Sequence, residues 1–140
     1  MKKIISLIVL TIAIVVGLKV KSMMDEAPYK DAVNSTVSLM KQGKIFMFRD
    51  RLDDATFAEL SIEDIVKFLD ETYISHIQKI TWNDISHTDG NYTLSTELIQ
   101  EDDTKLPAEF GLYLDKRQQP HIYHIQIGNL ALKPQKFILR

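Results

Sequence analysis

The residues of this 140-residue chain that could do chemistry are its four histidines, its acidic turns and a set of strand aromatics. His121 and His124 stand three apart on an extended segment, which puts them on opposite faces of a strand, while His76 and His87 flank the ends of another. A metal site needs ligands that converge, so neither pair predicts one. The chain has no cysteine, which excludes disulfides, thiolate metal sites and a cysteine nucleophile. Asp53-Asp54 and Asp102-Asp103 do not follow the spacing of a calcium loop and read as solvated turns. Trp82, Tyr92, Phe110 and Tyr123 share the inward parity of their strands, where they build core or line an apolar pocket. On that parity no residue is a carboxylate, a histidine or a lysine: it runs on through Leu94, Thr96, Leu98, Leu112, Leu114, Ile125 and Ile127. General acid or base catalysis inside the sheet would lack its main participant, so we expect no catalytic residues, no cofactor and no metal.

These side chains are positioned by strands in the second half of the chain. Ala108–Lys116 and His121–Gly128 alternate apolar and polar residues around the turn Arg117-Gln118-Gln119-Pro120, which predicts an antiparallel hairpin. Ile77–Ser86 breaks parity, with Ile80 and Trp82 against Ile77 and Ile85, and predicts a bulge. Asp89-Gly90-Asn91 is hairpin-turn chemistry leading into Tyr92–Gln100, and four strands in a meander result. The first half is helical. Val33, Val37 and Met40 recur at helical spacing over residues 31–42, Gly43 breaks the pattern, and 45–52 continues it less regularly. Leu60-Ser61-Ile62-Glu63-Asp64-Ile65 marks a helix start, with Ser61 as N-cap and acids at the positive end of the dipole.

Ahead of these elements, Met1-Lys2-Lys3 precedes an uncharged apolar run, Ile4–Leu18, closed by Lys19 and Lys21. A positive start followed by such a run is an export signal. No A-x-A site follows it, so we expect an uncleaved anchor through residues 4–20, and a secreted domain if it is cleaved. The resulting organisation is an anchor over 1–22, a linker over 23–30, an α+β domain over 31–129 and a tail over 130–140. Removing the four lysines of residues 1–22 leaves 13 Lys and Arg against 19 Asp and Glu, a net charge of −6. An acidic domain repels phosphate backbones, which excludes nucleic acid as a partner.

Helices first and then an antiparallel sheet resembles the NTF2-like (cystatin-like α+β cone) superfamily. The resemblance is carried by Met40-Lys41-Gln42-Gly43-Lys44, Leu60-Ser61-Ile62-Glu63-Asp64, Trp82, Asp89-Gly90-Asn91-Tyr92 and Leu106-Pro107-Ala108-Glu109-Phe110. It implies helices packed on a curved four-stranded sheet. With an anchor, it is similar to small bacterial envelope proteins, and more distantly to the periplasmic domain of VirB8-type secretion components. That implies a single-pass protein of the inner (cytoplasmic) membrane with its C-terminal domain in the periplasm or outside the cell. Strict alternation turns Ile99, Tyr113, Ile122 and His124 to the outer face of the sheet, a mixed apolar and polar set with the composition of an interface. The expected function is non-catalytic, the binding of an envelope protein or of a second copy. The alternative is a small-molecule binder or enzyme that uses the apolar interior.

Overall fold

The computed structural model describes residues 26–134; the expected anchor and the apolar Phe137-Ile138-Leu139 of the tail lie outside them. Helix α1 is described over 26–41 and includes 26–30, which the sequence suggests as linker. Its buried stripe is Val33, Thr36, Val37 and Met40, with Ala32 and Leu39 beside it. Gly43, at φ +68, ends the helix in the left-handed region that only glycine enters without strain. Helix α2, Ile45–Asp50, is one short amphipathic segment that buries Phe48.

Helix α3, Ile62–Glu71, starts where Ser61 predicts it. The Ser61 hydroxyl accepts from the Asp64 amide at 3.1 Å, and the Asp64 carboxylate accepts from the Ser61 amide at 3.0 Å. This reciprocal box satisfies two backbone donors that the first helical turn leaves open. Ile65 and Phe68 face the core, and a 3-10 turn, Ile74–His76, leads into the sheet.

The sheet has five antiparallel strands in sequence order, not four: β1 Ile77–Thr88, β2 Asn91–Gln100, β3 Lys105–Leu114, β4 Pro120–Ile127 and β5 Leu130–Ala131. The fifth is two residues long, too short to show a period, and is returned onto β4 by Gly128 at φ +58. The segment expected to be a tail therefore begins as a strand, with Leu132 buried behind it. The other half of the β4 edge is covered by the α2–α3 connection. Asp53 donates its amide to the Ile122 carbonyl at 2.7 Å, and Ile122 donates its own to the Arg51 carbonyl at 2.9 Å. Register slips in β1, between Ile77 and Lys79 and between Trp82 and Ile85, are the expected irregularity.

A further slip, in β4, changes which side chains face inward. Leu112 pairs with Ile122 and Gly111 with His124, leaving Tyr123 as the extra residue. Ile122 is consequently fully buried, whereas strict alternation places it outside. Tyr123 moves the opposite way: a Cβ on Gly111 would stand 2.7 Å from its ring, so the ring lies across the glycine on the outer face. The helices and the inner face of the sheet enclose one apolar core, in which Phe48, Ile65, Leu94, Leu98, Phe110, Leu112, Ile122 and Ile125 are all fully buried. Each such side chain contributes roughly 1.5–3 kcal/mol of burial.

Candidate functional site

The expected pocket residues do not converge. Phe110 is core, and Tyr123 is on the opposite face of the sheet. Trp82 and Tyr92 remain on the inner face at its β1–β2 end, where the chain itself supplies their company. Tyr29 of α1 stacks on Tyr92 with ring centroids 3.6 Å apart, and the Lys30 ammonium stands 5.8 Å from the Trp82 ring. Of the expected interface residues, Ile122 and Ile99 are buried, and Tyr113 and His124 are half exposed.

What the fold brings together is the outer face of β3 and β4 with the connection between α2 and α3. Tyr113 and His121 are cross-strand partners whose rings stack at 5.0 Å and 7°. The Tyr113 hydroxyl donates to Asp53 Oδ1 at 2.6 Å; the other oxygen of Asp53 accepts from the Thr56 amide at 3.1 Å and hydroxyl at 2.7 Å. His121 Nε2 pairs with Asp115 Oδ2 at 2.8 Å. One row further along the strands, His124 Nε2 stands 3.2 Å from Glu109. Glu109 and Gln126 then line a shallow groove of about 270 Å³ with Asn83, Ser95, Pro107 and Gly128.

The electrostatics follow from these contacts. The Tyr113 hydroxyl, with help from Thr56, holds the Asp53 carboxyl below the usual carboxylate range, and the same bond raises the Tyr113 phenol. The His121 bond and the Gln119 amide lower Asp115. Each carboxylate is thus committed to partners within the fold. Asp53 is a clamp that ties the α2–α3 connection to the sheet, and what the cluster offers outward is a set of half-exposed rings, Tyr113, His121, Tyr123 and His124. Sequence reading missed Asp53, His121 and Asp115; Asp53 and Tyr113 are sixty positions apart, beyond any local pattern. The lone Gly111 inside an otherwise regularly alternating strand was the available signal for the bulge.

Removing the clamp has a defined pH signature. A carboxyl whose folded pKa is lowered contributes stability above its unfolded value of about 4, and that contribution is lost as pH falls through the folded value. Tyr113→Phe is expected to cost about 1 kcal/mol at neutral pH, below the roughly 1.5–3 kcal/mol usual for a bond to a charged group because water reaches the pair. Urea denaturation should find the difference between wild type and variant shrinking as the pH falls below about 4. A difference that does not change with pH would mean that the hydroxyl acts independently of the Asp53 charge, and no difference would mean that Tyr113 stabilises by packing alone.

Among the described residues, no three His, Asp or Glu side chains are grouped as a metal site, and no helix is long and apolar enough to cross a membrane. No protein-family model matches the sequence, and no curated protein matches it. Its structure is similar to that of a designed NTF2-like protein, Rd1NTF2_05 carrying five substitutions. That likeness has a TM-score of 0.54 at 13% identity and covers 75% of this chain and 99% of the designed one. The chain therefore has an NTF2-like α+β fold, built with five strands.

Proposed function

We propose that this NTF2-like domain is a non-catalytic, membrane-anchored extracytoplasmic module that binds an envelope protein, or a second copy of itself, through the outer face of its sheet. The observation that carries the reading is the division of labour between the two faces. The inner face is occupied by the chain's own apolar side chains, with Phe110, Leu94 and Leu112 fully buried. The outer face holds Tyr113, His121, Tyr123 and His124 half exposed in two adjacent rows, and aromatic rings with few lysines are what recognition surfaces are enriched in. The apolar run Ile4–Leu18 supports a single-pass anchor in the inner membrane with the domain outside the cytoplasm.

Sedimentation of the full-length chain in detergent tests the interaction. The wild type is expected to run as a complex, either a dimer or a defined hetero-assembly co-purified from membranes, and Tyr123→Glu with His124→Glu to release a folded monomer. A wild-type monomer whose partner retention is unchanged by both substitutions would rule out the outer face. The anchor is tested separately by carbonate washing, which should leave the chain in the membrane fraction.

A further inference from the structure

Among the described residues, the large apolar side chains that are exposed are Phe46, Met47, Val66 and Tyr73. Phe46 and Met47 are adjacent on α2, 73% and 54% exposed. They lie in the segment 41–49, which holds the cations Lys41, Lys44 and Arg49, all exposed, and is followed by the exposed acid Asp50; residues 23–140 as a whole carry a net charge of −6. An apolar pair inside a cationic frame suits one environment above others, the boundary between anionic headgroups and acyl chains.

Tyr92 pairs with Leu112, and Leu112 with Ile122; Tyr29 stacks on the first of these and Leu52 bridges to the last. Tyr29 and Leu52, which flank helix α1 and the 41–49 segment in the chain, therefore meet one row of the sheet, from β2 and β4. The acidic turn Glu101-Asp102-Asp103 lies beyond Gln100, eight residues along β2 from Tyr92, or about 26 Å away at strand rise. We infer that the 41–49 segment is a membrane-contact element. Phe46 and Met47 enter the surface of an anionic bilayer, and Lys41, Lys44 and Arg49 engage its headgroups. The inference rests on the reading of residues 4–20 as an anchor.

Because the chain has no cysteine, single-cysteine variants of the full-length protein each carry one fluorophore. In vesicles of phosphatidylcholine with phosphatidylglycerol, a nitrobenzoxadiazole label at Met47→Cys is expected to shift its emission to the blue and be quenched by doxyl-labelled lipid. A label at Glu101→Cys should do neither. The Met47→Cys signal should weaken in phosphatidylcholine alone, and Lys44→Gln or Arg49→Gln should each lower the contact equilibrium by about fivefold, at roughly 1 kcal/mol per charge. A label at Ile8→Cys reports the anchor independently. Quenching at 8 and not at 47 overturns the contact and leaves the anchor standing; quenching at 47 and not at 8 supports the contact and removes the anchor. Equal quenching at 47 and 101 would mean adsorption without orientation, and overturns the inference.

Discussion

Ile122→Glu is expected to unfold the domain, while the same replacement at the next residue, Tyr123→Glu, leaves it folded. Ile122 is fully buried opposite Leu112, and its backbone is bonded to both Arg51 and Asp53. A carboxylate there would be buried without a partner, at a cost of several kcal/mol against a total stability of roughly 5–15 kcal/mol. It would also displace the strand edge that receives the α2–α3 connection. Tyr123 rests across Gly111 on the outer face, so a charge at that position reaches water and costs about 1 kcal/mol or less. Urea denaturation of both variants decides the matter. The reverse order of stabilities would mean that β4 keeps strict alternation and that the bulge is absent.

The second large effect is at the centre of the core. Phe110→Ala removes a fully buried ring that pairs across strands with Leu94 and Ile125, and should cost about 3–5 kcal/mol. The variant also separates the two functional readings. A dry apolar cavity binds small apolar molecules, and binding to the folded state raises its stability. Indole is therefore expected to raise the melting temperature of Phe110→Ala and not that of the wild type. If indole stabilises the wild type equally, the interior already holds a ligand site, and the small-molecule alternative gains.

Local chemistry in the sequence accounts for most of the elements. The Ser61 cap and the Asp89-Gly90 turn, whose residues take φ of +50 and +83, act over three or four positions and were legible there. The hairpins followed from alternation. What escaped were features set by contacts between distant segments. The inward turn of Ile122 depends on Gly111 across the strand pair, and β5 is recognisable only by its pairing with Gln126 and Ile127. Residues 26–30 were read as linker, whereas they are helical and Tyr29 gains a stacking partner in Tyr92. At the candidate site, Tyr113 and His124 were legible as outward residues. The clamp that organises them was not, because Asp53 reaches Tyr113 from a turn that by itself looks merely solvated.

The central claim, that the outer face of β3 and β4 is the recognition surface, is tested most directly by site-specific photo-crosslinking in intact membranes. A benzophenone amino acid is placed at His124, on that face, and at Ser38, on the exposed side of α1. The account predicts a discrete adduct from position 124, either at twice the chain's mass or with one defined partner, and none from position 38. An adduct from position 38 alone, or none from either, would contradict it.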